Sequence, residues 1–166
     1  MSHKALERAV ELIGSAVIST HAHRGDETVV VDPRSIYGTL QALRDDTQLR
    51  MTFLVDLTAV DYIGRDPRFE VVYHLRSMVS GDRLRIKAPL AEPEDGSLPT
   101  IASVSQLWAG ANWFEREVFD LYGIKFDGHP DLRRILMYPE FVGHPLRKDY
   151  PKEKRQPLVR RDPMDT

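Results

Sequence analysis

The chain of 166 residues contains no cysteine. It therefore has no disulfide bond, no thiol nucleophile and no thiolate ligand for a metal ion. An ordinary iron–sulfur cluster, which is held by cysteine thiolates, is excluded as well. Any redox role of this chain has to depend on cofactors that other chains bind.

Long apolar runs are missing too, since no run approaches the ~20 residues that span a bilayer. The N-terminal stretch 5–18 is interrupted by Glu7, Arg8, Glu11 and Gly14. It therefore lacks the apolar core of a secretory signal. We expect a soluble chain that faces the cytosol. Attachment to a membrane complex through other subunits needs no membrane segment.

Common catalytic signatures are absent from the sequence. There is no Gly-rich phosphate loop and no Gly-Lys-Ser/Thr motif before a helix. The Gly-x-Ser-x-Gly elbow of serine hydrolases and the His-Glu-x-x-His zinc helix are also missing. These absences disfavour nucleotide hydrolysis, serine hydrolysis and zinc-dependent hydrolysis.

Apolar residues recur with helical and strand periods that alternate along the chain. Helical spacing covers residues 4–14 and a second stretch from about 33 to 45, which Asp32 opens as an N-cap. Strand patterns cover residues 16–21, 28–31, 51–60, 69–75 and 84–88. Arg24-Gly25-Asp26 matches an adhesion tripeptide, but we interpret it as the turn of a hairpin. The order predicts an α+β fold whose mostly antiparallel sheet is flanked by helices.

A helical block follows, because the apolar residues of 104–122 share one face of a helix. Two potential capping boxes, Ser103-x-x-Gln106 and Asn112-x-x-Glu115, predict two helices with a break at residues 109–111. Gly123 is expected to end the second helix as a left-handed cap.

The sequence changes character after Gly123, where the periodicity stops. Residues 124–166 carry six prolines together with Phe126, Tyr138, Phe141 and Tyr150. Residues 133–161 hold nine bases and three acids, a net charge of +6 against −8 for the rest of the chain. We predict an α+β domain over residues 1–123 and a long extended C-terminal arm over 124–166 that docks on a partner subunit.

Three carboxylates lie close together on the second helix of the block: Glu115, Glu117 and Asp120. Paired carboxylates carry out acid–base chemistry when their pKa values differ. We favour a structural network, because Arg116 and Asp120 have the spacing of a helical ion pair and the capping box accounts for Glu115. The alternative is a stand-alone acid–base enzyme, which turnover by the purified chain would support.

Two histidines, His129 and His144, stand in Gly-His-Pro sequences. Metal binding is one interpretation, but the helical spacing and the cysteines that would support it are missing. We predict hydrogen-bonding contacts in turns and no metal site. His21 and His23 share one face of a strand and are expected to be exposed.

The basic arm raises a second class of function, nucleic-acid binding. Phosphate recognition uses clustered Lys and Arg residues. In residues 147–155, however, acids alternate with the bases. We expect no nucleic-acid partner, and a salt-sensitive gel shift would support the opposite interpretation.

Several longer segments can be compared with known families. Residues 115–124 read Glu-Arg-Glu-Val-Phe-Asp-Leu-Tyr-Gly-Ile, and residues 126–136 read Phe-Asp-Gly-His-Pro-Asp-Leu-Arg-Arg-Ile-Leu. Residues 143–151 read Gly-His-Pro-Leu-Arg-Lys-Asp-Tyr-Pro, and 69–75 and 111–114 also fit. In this order they resemble the 30 kDa (C) subunit of proton-pumping NADH:quinone oxidoreductase, respiratory complex I.

This resemblance implies a structural subunit that holds no flavin, iron–sulfur cluster or quinone. The cofactors are expected in partner subunits, which pass electrons from NADH to quinone and couple this to proton translocation. The expected partners in the hetero-oligomer are the quinone-proximal 49 kDa (D) subunit and the terminal-cluster (B) subunit. The expected location is the cytoplasmic side of the bacterial inner membrane, with membrane contact only through the complex.

The expected partner-binding residues all lie in the arm, because aromatic and Arg side chains dominate interface energies. Aromatic anchors are expected at Tyr138, Phe141 and Tyr150. Pairing to partner carboxylates is expected from Arg133, Arg134, Arg147 and Lys148. The alternative is the equivalent subunit of a related membrane-bound hydrogenase, or of a quinone reductase with ferredoxin or another electron donor.

Overall fold

A five-stranded sheet forms the centre of the computed structural model, which describes residues 4–156. Its strands are β1 (Val17–His23), β2 (Asp26–Val31), β3 (Phe53–Asp61), β4 (Phe69–Arg76) and β5 (Arg83–Leu90). Their spatial order is β1-β2-β5-β4-β3. Neighbouring strands are antiparallel except β2 and β5, which pair in parallel. The prediction of an α+β fold with a mostly antiparallel sheet is confirmed.

One face of the sheet is covered by three α-helices: α1 (Lys4–Ile13), α2 (Ile36–Asp45) and α3 (Ala111–Tyr122). Strand β5 shows how the sequence selects this face. Its residues Leu84 and Ile86 are buried in the core, whereas Arg85 and Lys87 alternate with them and point to the other side. This period of two is the pattern of a strand with one covered face.

The opposite face of the sheet carries charged side chains. Arg85 pairs with Asp26 at 3.2 Å, and Lys87 pairs with Glu70 at 2.7 Å. Within residues 4–156, none of the helices has both the length and the apolarity needed to cross a membrane.

The hairpin and the entry to α2 agree with the predictions. Arg24 and Gly25 both have positive φ angles and form the turn between β1 and β2. The Asp32 carboxylate accepts a hydrogen bond from the backbone N–H of Arg34 and caps a 3-10 turn over Pro33–Ser35. Helix α2 continues directly from this turn.

The predicted pair of helices in the block is wrong. Residues 103–110 contain two turns and no helix, and α3 is preceded by Gly110, which has no side chain to cap it. Neither capping box forms, because the Glu115 carboxylate accepts hydrogen bonds from Ser103 Oγ and from the Val104 N–H. These bonds hold residues 103–104 beside α3, so they cannot start a helix of their own.

Two short strands were not predicted. Strand β6 (Thr100–Ala102) precedes α3 in the sequence and strand β7 (Lys125–Asp127) follows it. The two strands pair in parallel. Phe126 of β7 is buried in the core. The folded domain therefore continues past residue 123, where the predicted arm begins.

Residues 128–156, here called the C-terminal segment, contain no helix or strand. The segment nevertheless lies against its own domain. The Leu146 N–H donates to the Leu121 carbonyl at 3.0 Å, and the Lys148 N–H donates to Asp61 Oδ2 at 2.7 Å. Residues 157–166 of the predicted arm lie outside the described residues.

Gly123 ends α3 as predicted, with a left-handed φ of +72°. The imidazole of His144 lies directly over it, so a Cβ at this position would be 2.6 Å from His144 Cδ2. The backbone conformation and the close contact both require glycine. Gly123 therefore lets the C-terminal segment approach the end of α3.

Gly123→Ala should lower the free energy of unfolding by about 2–4 kcal/mol. A left-handed alanine costs about 1 kcal/mol, and displacement of the imidazole adds the rest. Gly128→Ala is the matched control, because Gly128 has a φ of +80° and no atom within 4 Å of the added Cβ. Urea denaturation of both variants measures the difference. Equal losses of stability would contradict the contact with His144.

Candidate functional site

The three carboxylates of the acid–base hypothesis do not form one group. Glu115 and Asp120 are fully buried, whereas Glu117 is exposed. Glu115 binds residues 103–104, and Asp120 binds the C-terminal segment. Each buried carboxylate therefore has its own set of partners.

Glu115 lies in the core with few donors around it. Its carboxylate accepts hydrogen bonds of 2.6 Å from both Ser103 Oγ and the Val104 N–H. Burial raises its pKa to about 7, although these two bonds oppose the shift. Burial and the nearby Glu115 also raise the pKa of Tyr73, whose hydroxyl has no hydrogen-bond partner among the described residues. The buried His129 ring approaches Glu115 to 3.9 Å.

Asp120 is bound much more strongly. Its Oδ2 accepts the N–H groups of residues 135–137 at 2.8–3.1 Å, and its Oδ1 accepts Arg134 Nη1 at 2.7 Å. Burial opposes ionisation, but these donors outweigh it and hold the pKa of Asp120 below its usual value. Asp120 thus fixes the start of the C-terminal segment as an anion.

The predicted ion pair between Arg116 and Asp120 is wrong. Arg116 donates instead to the backbone carbonyls of Arg133 and Arg134 and lies 5.3 Å from the centre of the Trp113 ring. Asp120 takes Arg134 as its partner because the C-terminal segment folds back over α3. Tertiary contacts have replaced the local pair.

Both histidines of the Gly-His-Pro sequences bind backbone groups. His129 Nδ1 accepts the Asp131 N–H at 3.0 Å, so Nε2 carries the proton and donates to the Asn112 carbonyl at 3.1 Å. His144 Nδ1 donates to the Asp120 carbonyl at 2.9 Å. Burial lowers the pKa of His144. Within residues 4–156, no cluster of three or more potential ligands is placed to hold a metal ion.

A network of charges binds the far end of the C-terminal segment to the sheet. Arg68 pairs with Asp61 through two hydrogen bonds of 2.8 and 2.9 Å and reaches Glu92 at 2.7 Å and Asp149 at 3.0 Å. Arg147 pairs with Asp149 at 3.2 Å and also with Glu92. Arg68 lowers the pKa values of Asp61 and Glu92, and Arg147 lowers that of Asp149.

Aromatic packing supports this network. The Arg68 and Arg147 guanidinium groups lie 4.8 and 5.0 Å from the centre of the Phe69 ring. Such cation–π contacts favour a fixed position of the long Arg side chains. The end of the C-terminal segment is therefore held by charge and by ring stacking together.

The expected partner-binding residues divide into two groups. Phe141 stacks on Tyr150 at 5.9 Å and lies 5.8 Å from the Arg134 guanidinium, so these residues bind within the chain. Arg147 also binds within the chain, through its ion pairs with Glu92 and Asp149. Arg133, Tyr138 and Lys148 are the expected residues with exposed side chains.

The C-terminal segment and α3 also carry exposed apolar side chains. Leu136, Val142 and Leu146 are 58%, 59% and 45% exposed, and Trp113 on α3 is 62% exposed. Together with Tyr138, we call these residues the apolar surface. Its aliphatic members were not predicted from the sequence. These aliphatic residues lie in a segment without helical or strand periodicity, which could have indicated that they do not belong to the core.

A shallow groove of about 470 Å³ opens beside the turn between β4 and β5, and residues of β2, β3, β4 and β5 line it. Its charged residues include the paired Asp26 and Arg85. His74 also lines this groove. Burial, and to a smaller extent the positive charge of Arg85, lower the pKa of His74. No hydrogen bond joins His74 to Ser80 of the groove among the described residues. His74 and Ser80 therefore do not form a nucleophile–base pair in this structure.

Comparison with known proteins identifies the family. The family described as "Respiratory-chain NADH dehydrogenase, 30 Kd subunit" matches residues 29–156. The chain belongs to this family. A relative from Citrifermentans bemidjiense, named as the C subunit of NADH-quinone oxidoreductase, is 49% identical over 90% of this chain and 89% of its own length. The relative of the same name from Rhodobacter capsulatus is 49% identical over 90% of this chain and 70% of its own.

One chain of a solved structure has the same fold as this chain. One chain of the membrane-bound sulfane sulfur reductase, an archaeal respiratory membrane complex, superposes with a TM-score of 0.75. The match covers 91% of this chain and 86% of that one at 22% sequence identity. At this identity the match shows a common fold.

The residues that anchor the C-terminal segment fall within the sequence segments that resemble the 30 kDa subunit family. Asp120 lies in residues 115–124, Arg134 in residues 126–136, and His144 and Arg147 in residues 143–151. Asp120, Arg134 and His144, which make the contact between α3 and the C-terminal segment, therefore all belong to these resembling segments.

Glu115→Gln should remove a pH dependence of stability. In the unfolded chain the pKa of Glu115 returns to about 4.5, so the folded state binds this proton more tightly. The free energy of unfolding therefore falls as the pH rises from 4.5 to 7, by up to ~3 kcal/mol. Relative to the wild type, the variant should gain about 2.5 kcal/mol between pH 5 and pH 8, since part of the effect is already present at pH 5.

Urea unfolding at the two pH values measures this gain. Glu117→Gln is the matched control, because Glu117 lies on the same helix and is exposed. Parallel pH profiles for the wild type and Glu115→Gln would show that Glu115 is ionised in the folded core at both pH values.

Proposed function

We propose that this chain is a cofactor-free structural subunit in the peripheral arm of an NADH:quinone oxidoreductase. It supports the quinone-proximal subunits while electrons pass from NADH to quinone and protons are translocated. The relatives at 47–49% identity, all named as the C subunit of NADH-quinone oxidoreductase, support this role.

The observation that carries the proposal is an exposed apolar surface on a rigidly held segment. Asp120, Gly123 and the Arg68 network fix the C-terminal segment on the domain. A fixed segment presents its apolar side chains in one arrangement, so little conformational entropy is lost when a partner binds. Groups of exposed apolar side chains mark interaction sites in soluble domains.

We assign two roles to the expected partner-binding residues. Tyr138, Arg133 and Lys148 contact the partner, together with Leu136 and the rest of the apolar surface. Arg134, Phe141, Arg147 and Tyr150 hold the segment in position. The proposed partners are the 49 kDa (D) subunit and the terminal-cluster (B) subunit.

In this proposal the chain has no catalytic site and binds no cofactor. Its buried carboxylates, those of Glu115, Asp120 and Asp61, accept hydrogen bonds from inside the protein. Flavin and iron–sulfur clusters belong to the partner subunits. The chain reaches the cytoplasmic side of the membrane only as a part of the complex.

The alternative is the equivalent subunit of a membrane-bound hydrogenase, or of a quinone reductase with another electron donor. The fold is compatible with it, because a chain of a sulfane sulfur reductase superposes on this one. The higher identity to subunits of NADH-quinone oxidoreductases favours NADH as the donor.

Purification from native membranes tests the proposal. A tag on the N-terminus, with mild detergent, should recover a complex that contains flavin and iron–sulfur signals and reduces quinone with NADH. The same complex with hydrogenase activity, or without NADH oxidation, would support the alternative. Recovery of the chain alone from the soluble fraction would overturn both.

Leu136→Asp should reduce the recovery of this complex about tenfold or more, because a charge within a buried apolar contact costs over ~1.4 kcal/mol. The melting temperature of the chain itself should change little, since Leu136 is 58% exposed. Met78→Asp is the control, because Met78 is 67% exposed on the turn between β4 and β5. Equal recovery of the two variants would remove the apolar surface from the interface.

A further inference from the structure

The connection between β3 and β4, residues 62–68, is an exposed turn with a fixed backbone, here called the β3–β4 loop. The Tyr62 N–H donates to the Arg68 carbonyl at 2.8 Å, and the Arg65 N–H donates to the Tyr62 carbonyl at 2.9 Å. The Arg65 guanidinium lies 4.7 Å from the centre of the Tyr62 ring. Between them, Ile63 is 55% exposed. The loop therefore holds an apolar side chain in solvent at a defined position.

The β3–β4 loop lies beside the end of the C-terminal segment. Asp61, directly before the loop, accepts the Lys148 N–H at 2.7 Å, and Arg68 at the end of the loop pairs with Asp149 at 3.0 Å. Lys148 is itself exposed. Since consecutive Cα atoms are 3.8 Å apart, the Cα atom of Ile63 lies within ~16 Å of that of Lys148. The loop and the end of the segment are therefore neighbours on the surface.

A groove of about 330 Å³ opens beside the β3–β4 loop. Glu70 and Lys87 line it and pair with each other at 2.7 Å, so their charges are satisfied within the chain. The lining is completed by the rings of Tyr62, Pro67, Phe69 and Pro89 and by the exposed Arg65 and Asp66. Ring walls beside a closed ion pair suit an apolar side chain better than a charged one.

The charge around the loop is positive. Residues 147–155 hold five bases and two acids, and the exposed part of the loop adds one of each, Arg65 and Asp66. Within residues 4–156, no carboxylate pairs with the side chain of Arg65 or of Lys148. A partner that complements this surface therefore carries carboxylates around an apolar contact.

We propose that the subunit that binds the apolar surface also covers the β3–β4 loop. Ile63 packs against that subunit, and one apolar side chain of the subunit enters the groove. Its carboxylates face Arg65 and Lys148. This inference rests on the proposed function and specifies the contact surface of the partner as apolar with an acidic rim.

The size of a stable interface favours one partner for both surfaces. A standard interface buries ~800 Å² on each side, which corresponds to a patch ~32 Å across. A patch of that width that covers Leu146 and Lys148 also reaches Ile63. The other exposed apolar turn, with Met78 and Val79, lies at the opposite end of β4. Among the described residues, no hydrogen bond joins that turn to the C-terminal segment.

Photocrosslinking in the complex purified from native membranes tests the shared partner. A benzophenone amino acid replaces Ile63 of the loop, Val142 of the apolar surface or Met78 as the control, all of which are exposed. Positions 63 and 142 should crosslink to the same subunit. Position 78 should not crosslink to that subunit, because it lies at the far end of β4.

Ile63→Asp should reduce the recovery of the complex about tenfold or more, because it places a charge within an apolar contact. Met78→Asp is the matched control, and the melting temperature of the chain should change little in both variants, since both side chains are exposed. Equal recovery of the two variants would remove Ile63 from the interface.

Two charge reversals at adjacent positions test the acidic rim. Arg65→Glu should lower the recovery of the complex, whereas Asp66→Lys should not, because only the first places a carboxylate against the carboxylates of the partner. Equal losses for the two variants would overturn the acidic rim.

The crosslinks separate failure of this inference from failure of the proposed function. A crosslink from position 142 without one from position 63 overturns the inference and leaves the proposed function intact. Crosslinks from positions 63 and 142 to different subunits overturn the single partner. If the chain is recovered alone and neither position crosslinks to another subunit, the proposed function fails and the inference fails with it.

Discussion

The buried carboxylate of Asp120 joins the end of α3 to the C-terminal segment. An unpaired charge inside a protein is strongly unfavourable, so Asp120 requires the N–H groups of residues 135–137 and the guanidinium of Arg134. Asp120 is near the end of α3, and the position of the C-terminal segment follows from that of the helix. The position of the apolar surface follows in turn from that of the segment.

Glu115 and Asp120 show how the pKa values of two carboxylates on one helix shift in opposite directions. Glu115 accepts hydrogen bonds from two donors, and no cation lies within hydrogen-bonding distance of it. Burial therefore dominates, and the pKa of Glu115 is about 7. Asp120 has no exposed surface either, but it lies less deep and has three N–H donors and an Arg, and its pKa is lowered. Shallower burial and more donors together let Asp120 keep its charge.

The main sheet and the helices α1 and α2 could be predicted from the sequence, because long periodic segments carry a strong local signal. Strands β6 and β7 could not, since three residues are too few to show a period. The capping box at Glu115 and the pair between Arg116 and Asp120 were reasonable local interpretations. They were wrong because the true partners, Ser103 and Arg134, are brought together only by tertiary folding.

The bond between the Lys148 N–H and Asp61 joins residues 87 positions apart. This bond can therefore form only after almost the whole described chain has been synthesised. Until residue 149 has been added, Asp61 and Arg68 lack their partners from the C-terminal segment. Attachment of the segment to the sheet thus depends on nearly complete synthesis, because the residues that hold it stand at the two ends of a long stretch of chain.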